Sequence, residues 1–484
     1  MLISIVALII GYVLYGRFVE KVFRVEPARP TPARAMTDGV DYVVMPSWKV
    51  FMIQFLNIAG TGPIFGAILG AMYGPSCYLW IVFGCIFGGA VHDYLSGMLS
   101  VRHEGKGLPD LIGYYLGSRT RKVMLFFAVF MMVLVGAVFV YSPAIILGDL
   151  VGGGTKSATI IWVGIILFYY IVATMVPIDK LIGKIYPIFA FALIFMAVAL
   201  LACLIGKWPS GIPEVWDGLA NRNPAGGRIF PCLFISIACG AVSGFHATQS
   251  PLMARCIGNE KLGRPIFYGS MITEGVIALI WATVSSWFFF AGGNAEMGAA
   301  NVVAAPAVVT NVSRYWLGTM GSILAILGVV AAPITSGDTA LRSARLMVAD
   351  ALHLNQRPIK NRLAVSMCLF IVTGALLVYN IADAQGFNKL WGYFGWANQT
   401  LSIFTFWTIT VFLVEHRKGT CYYLVTMLPA CFMTAVCVTF ILTAKIGFRI
   451  PQDYAPVIGA VTFALSACIF FWLKHKKLGS NASA

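Results

Sequence analysis

Five ionisable side chains stand inside apolar stretches of this chain, where charge is expensive. They are Asp93, Glu274 and Asp338 among nineteen acidic residues, and His92 and His246 among six histidines. Ionisable groups at membrane depth are rare and mark ion or substrate pathways. Imidazole changes charge near neutral pH, and burial and neighbours tune a carboxyl, so all five are candidates to carry a coupled proton. His92 and Asp93 sit among Gly88, Gly89, Ala90, Ser96 and Gly97, small residues that favour close helix packing. Adjacent helical residues point about 100° apart, so the two are not expected to face one site together. They serve either as a titrating or gating pair or as a hydrogen-bonded brace. Glu274 lies about two turns into its segment and either snorkels, packs or couples. Asp338, in AAPITSGDTALRSAR (331–345), either carries a proton or pairs with Arg342 or Arg345. Thr335 and Ser336 beside it could form a sodium site with backbone carbonyls.

His246 belongs to one of two interrupted segments. ISIACGAVSGFHATQSPLM (235–253) carries Gly240, Gly244, a polar run from His246 to Ser250, and Pro251; FLNIAGTGPIFGAILG (55–70) carries Gly60, Gly62 and Pro63 in mid-span. Unpaired backbone at membrane depth is tolerated only where it is buried in protein or lines a polar cavity. Paired broken helices are the sequence pointer to a secondary transporter's binding site. The expected substrate contacts are Asn57, Gly60, Thr61 and Gly62 from the first segment and Ser243, Gly244, His246 and Gln249 from the second. Asn398 and Gln399, in WGYFGWANQTLS, are expected to line the same cavity. His246 is expected on the unwound stretch, contacting an anionic substrate, carrying a proton, or capping freed carbonyls. Half-helices starting at such breaks turn partial positive charge to the midplane, which favours a carboxylate-bearing substrate.

The elements that must position these groups are membrane helices. The chain is 59% hydrophobic and 11% charged, with a mean hydropathy of +0.84, where soluble domains carry about 25% charged residues. Apolar runs long enough to cross a bilayer recur along it. The pattern predicts thirteen spans, near 1–20, 48–74, 76–100, 121–148, 158–177, 181–206, 228–254, 266–291, 317–342, 361–380, 386–413, 421–445 and 455–474. Loops on one side hold 26 of the 34 Lys and Arg, which makes that side cytoplasmic, the N-terminus outer and the C-terminus inner. No basic residue precedes Arg17, so the first apolar run is expected to be a retained helix rather than a signal peptide. Setting that helix aside, spans 2–6 and 7–11 form two sets of five. Five is odd, so the sets are inverted, and each opens with a broken helix. The predicted class is an all-α polytopic protein with a LeuT/APC-like 5+5 inverted repeat. Its parts are an extra helix and linker (1–47), a first repeat (48–206), an outer loop (207–227), a second repeat (228–413) and two peripheral helices with a tail (414–484).

The same residues argue against other classes. In a soluble protein the net charge of +15 would suggest nucleic acid; here the charge sits in loops facing the membrane surface, and no nucleic-acid partner is expected. No P-loop, HExxH or serine elbow occurs, which argues against ATP-driven transport and a membrane enzyme, and no filter motif suggests a channel. The eleven Cys are scattered, with no CxxC and no Cys/His pair at zinc-ligand spacing. They read as small hydrophobes, and no cofactor is expected.

The runs NIAGTGPIFGAILGAMYGP, WIVFGCIFGGAVHDYLSGMLSVRHEGKGLPDLI, VSGFHATQSPLMARC, PITSGDTALRSARLMVAD and FGWANQTLS resemble the carbon starvation protein A (CstA) family over most of residues 40–415. The likeness departs at the C-terminus, where long family members carry further membrane segments. It implies a bacterial inner-membrane importer of peptides or pyruvate, coupled to protons, in a nutrient-scavenging setting. A sodium-coupled symporter of amino acids or small solutes is the alternative.

Overall fold

The computed structural model describes residues 1–38, 42–175, 178–224, 226–299, 304–354, 358–383 and 386–482. Regular structure among them is helical throughout. Helix α1 (Leu2–Phe23) is followed by a pair, α2 (Ser47–Ile58) and α3 (Gly62–Ala71), bent by 52° across three residues. Next come α4 (Ser76–Arg102), the short α5 (Leu108–Leu116) and α6 (Ser118–Gly152). Helices α7 (Lys156–Met175) and α8 (Ile178–Lys207) complete the first half of the chain. The second half opens with α9 (229–236) and α10 (His246–Ala254), separated by nine irregular residues. It continues through α11 (Glu260–Phe290), α12 (Ala305–Ala351), α13 (Ile359–Ala382) and α14 (Gly386–His416). Two last helices follow, α15 (Leu424–Thr443) and α16 (Ala455–Ala482).

Ten of the described helices are long and apolar enough to cross a membrane, eleven if the bent α2–α3 pair is one span. The expected spans 228–254 and 317–342 fall on α9–α10, broken into short pieces, and on α12, kinked at Gly318. The pieces of α9–α10 include no unbroken helix long enough to cross, whereas α12 runs for 47 residues, ample length for a span. The expected end of the fifth span, 176–177, lies outside the described residues.

Each break has a local cause. Ala59 leaves helical geometry (φ −81, ψ 52), and Pro63, which has no N–H to donate, starts α3 where none is needed. In the second break Ile237 turns out of the helix and Gly240 adopts φ +87, a left-handed conformation that glycine reaches without penalty. The carbonyls stranded at the end of α9 are met by side chains. Trp391 Nε1 donates to Ser236 O, Trp80 Nε1 to Ile237 O and Gln399 Nε2 to Phe234 O.

Small residues let the bundle close around the breaks. Gly136 of α6 packs on Leu341 of α12, Gly328 on the backbone of Ala192 in α8, and Gly337 on the ring of Tyr170. Apolar side chains line the outer faces of α1, α7 and α16, including Ile3, Ile161 and Leu465, the surface a bilayer would cover. At the basic end, Arg102 clasps Glu260 at 2.6 Å and the carbonyl of Arg24 at 2.9 Å. The same Glu260 accepts the Glu26 amide at 2.8 Å, so one buried carboxylate ties α4, the start of α11 and the linker after α1.

Candidate functional site

The two breaks meet. A Cβ at Gly62 would overlap Cys239, and one at Gly240 would stand 3.7 Å from the Cα of Pro63. Phe139 of α6 closes the side of the contact, since it faces Gly60 and stacks edge-on to Phe245 at 6.2 Å.

Beside this contact runs a chain of buried ionisable groups. Asp93 on α4 binds His92 Nδ1 through one oxygen at 2.8 Å and His246 Nδ1 through the other at 2.7 Å. The far nitrogen of His246 faces Glu274 of α11 at 3.5 Å, and the second Glu274 oxygen accepts the Gly240 amide at 3.0 Å. All four side chains are fully buried. Helical spacing alone points His92 and Asp93 apart. The carboxylate resolves this by having two oxygens, so Asp93 reaches back to its neighbour and across to the break at once. Glu274 does not snorkel; it caps the left-handed glycine of the second break.

His246 also departs from expectation. It opens α10 rather than lying in the unwound stretch, and Gln249 and Ser250 follow on that helix. Ser243 and Gly244 do lie in the stretch, held by Asn398. Asn398 Oδ1 accepts the Phe245 amide at 2.7 Å, its Nδ2 donates to Ser243 Oγ at 3.0 Å, and its backbone carbonyl accepts the Gly244 amide at 3.2 Å. Asn398 and Gln399 thus brace the broken segment, a role their sequence context does not announce.

Several expected contact residues offer polar atoms without a hydrogen-bond partner among the described residues. Both amide atoms of Asn57, the hydroxyl of Thr61 and the carbonyl oxygen of Gln249 are buried in this way. Leaving such an atom unmet costs about 1–3 kcal/mol, so a polar ligand or water is the natural partner. Gln54 of α2 reaches Ser250 of α10 at 3.5 Å, which draws the two segments together on the basic side of the contact.

Asp338 stands apart from the Asp93–His246–Glu274 chain. It faces Arg342 at 3.5 Å, and Arg342 in turn donates to Ala173 O at 2.7 Å. Thr335 is turned to carbonyls of its own helix, whereas Ser336 reaches the carbonyls of Leu56 and Asn57 at 3.3 and 3.4 Å. Cys239 is the residue that sequence reasoning passed over; its position immediately before the conformationally special Gly240 was the available signal.

At the basic end a cavity of about 450 Å³ approaches α10, lined by Thr248, Pro251, Arg255, Lys106, Arg121 and His353 among others. Arg255 lies over the Tyr42 ring at 5.2 Å and donates to Gly105 O at 3.0 Å, so the linker and the α4–α5 loop frame its rim.

Comparison with known proteins is consistent across sequence and fold. The carbon starvation protein CstA family profile matches residues 1–151, 143–317 and 292–440. The peptide transporter CstA of Escherichia coli is 25% identical over 92% of this chain and 81% of its own length. The pyruvate/proton symporter BtsT of the same organism is 25% identical over 93% and 81%. An uncharacterized membrane protein of Haemophilus influenzae is 46% identical over 59% of this chain and 90% of that one. Among solved structures, MhsT in complex with L-phenylalanine superposes with a TM-score of 0.58 over 86% of this chain and 98% of that one, at 14% identity. That likeness places the chain in the LeuT-type fold.

Proposed function

The chain belongs to the carbon starvation protein CstA family of multi-pass membrane transporters, and we propose that it is a proton-coupled symporter importing peptides or pyruvate-like carboxylates by alternating access. The observation that carries this reading is the meeting of two broken helices at buried polar atoms of Asn57, Thr61 and Gln249, beside a chain of four ionisable groups. Helices α3 and α10 both begin at the breaks, and their N-terminal partial charge suits a carboxylate. Substrate would sit between residues 57–63 and 243–250.

In this account Asp93, His246 and Glu274 exchange the coupled proton, His92 holds Asp93, and Asp338 couples through its pair with Arg342. A proton entering the chain alters which groups attract one another. Since Glu274 holds Gly240 and Asp93 holds α10, that change is delivered to the break itself. The thirteen spans form inverted sets 2–6 and 7–11 in the bacterial inner membrane, with the N-terminus outside and the basic loops in the cytoplasm. The cavity at the basic end would then be the inward exit.

A sodium-coupled symporter is the second reading. It rests on Ser336, whose hydroxyl meets two carbonyls freed at the first break.

The test is binding. Purified protein is screened by thermal shift against dipeptides, amino acids and small keto acids; a ligand at a hundred times its Kd adds about 2.7 kcal/mol to the folded state. A carboxylate that stabilises the wild type and binds His246→Ala weakly or not at all is the expected result. Wild-type affinity in that variant would reduce His246 to a structural part, and no stabilising carboxylate would remove the substrate assignment.

A further inference from the structure

The unused thiol beside His246 suggests a second chemistry at the break. Cys239 Sγ, a ring nitrogen of His246 and a Glu274 oxygen lie within 4.8 Å of one another, all on fully or almost fully buried side chains. We propose that these three residues form a site for one divalent transition-metal ion, of which zinc is the best match.

The donor set selects the class. Thiolate with imidazole favours zinc and its neighbours over magnesium or calcium, which take oxygen ligands. Zinc bonds of about 2.0–2.3 Å at tetrahedral angles put ligand atoms about 3.3–3.6 Å apart. The His246–Glu274 separation of 3.5 Å already meets that edge. Cys239 Sγ already occupies the place a Cβ at Gly62 would take, so glycine there is what lets the thiol stand this close to the break.

The surroundings supply an independent argument. A metal-binding histidine characteristically donates its other ring N–H to a carboxylate, which fixes the tautomer and aims the free nitrogen at the ion. His246 does this, with Nδ1 on Asp93 at 2.7 Å and Nε2, buried, making no well-formed hydrogen bond. Glu274 shows the same division, one oxygen on the Gly240 amide and the other, buried, without a hydrogen bond. Asn398 Nδ2 stands 3.5 Å from Cys239 Sγ, a donor that would support a thiolate, while the thiol itself donates to Ser243 Oγ at 3.4 Å. A dication with one thiolate and one carboxylate is neutral, the arrangement a buried site requires. Three protein ligands leave the fourth tetrahedral position to water or another small ligand.

This assignment rests on side-chain placement and does not depend on the transport reading. Full-length protein in detergent, stripped with a chelator and desalted, is titrated with Co²⁺ while its absorption spectrum is read. One equivalent should bind with a thiolate-to-cobalt charge-transfer band and the strong visible bands of tetrahedral cobalt, and Zn²⁺ should abolish both. Cys239→Ser should lose the charge-transfer band, and Asp93→Asn should weaken binding about 10- to 100-fold. In unmodified protein, Zn²⁺ should also shield Cys239 from alkylation, read by mass spectrometry, which serves where a variant does not fold. No thiolate band in the wild type, a band that survives in Cys239→Ser, or alkylation of Cys239 at the same rate with Zn²⁺ would each overturn the site. If His246 is also a transport residue, Zn²⁺ should arrest uptake. Cobalt binding with unaffected uptake would count against the transport role and leave the metal site standing.

Discussion

Replacing Asn398 with alanine should loosen the second break without unfolding the bundle. The side chain accepts the Phe245 amide at 2.7 Å, donates to Ser243 Oγ at 3.0 Å and reaches Ala238 O at 3.4 Å, all buried partners. Alanine removes every one of these contacts and leaves the Phe245 N–H, the shortest and strongest of them, with no acceptor. An unsatisfied buried donor costs about 1–3 kcal/mol. Charged wholly to local opening of residues 237–245, about 2 kcal/mol corresponds to about a thirtyfold rise in amide exchange there. Hydrogen exchange read by mass spectrometry measures this directly, peptide by peptide. Thr405→Val on the same helix is the control, because the Thr405 hydroxyl bonds only to Leu401 of its own helix. Segment 237–245 should exchange at the wild-type rate in the control and much faster in Asn398→Ala. Equal rates in both would refute the view that Asn398 holds the break in shape.

Other consequences can be checked independently. Gly62→Ala places a methyl against Cys239 and should cost about 1–3 kcal/mol by overpacking, read as a lower Tm. Arg102→Gln strands the buried Glu260 carboxylate and should cost about 3 kcal/mol, whereas Arg102→Gln with Glu260→Gln should recover much of it; an equal loss in both would mean that the ion pair is not the source. A C-terminal fluorescent-protein fusion should light up in the cytoplasm, and a C-terminal phosphatase that needs the outer compartment should stay inactive; the reverse pattern would invert the orientation.

Much of the site was legible because a membrane makes polar atoms conspicuous. Asp93, Glu274 and His246 stood out by cost alone, and glycine and proline inside apolar runs located both breaks. What could not be read was partnership. Whether Asp93 serves His92, His246 or both depends on segments 153 residues apart meeting side by side. Cys239 escaped because metal-ligand spacing rules describe one continuous segment, and its partners lie further on, His246 at the start of α10 and Glu274 within α11. Asn398, expected to line the cavity, also meets the Phe245 amide and the Ser243 hydroxyl, since a broken helix creates unmet N–H groups that something must satisfy. The number of spans is hardest to read where function has interrupted them. Residues 229–254 are too broken to register as a span by length and hydropathy, and that same interruption is what brings Cys239, Gly240 and His246 to one place.

Coupled uptake decides whether protons drive import. Protein reconstituted into sodium-free proteoliposomes, with the interior made alkaline, is offered a radiolabelled dipeptide or pyruvate while proton entry is followed with an internal dye. A proton-coupled symporter should accumulate substrate above equilibrium, admit protons only with substrate, and lose both with a protonophore or in Asp93→Asn. Accumulation driven only by a sodium gradient, or uptake that never exceeds equilibrium, would contradict it.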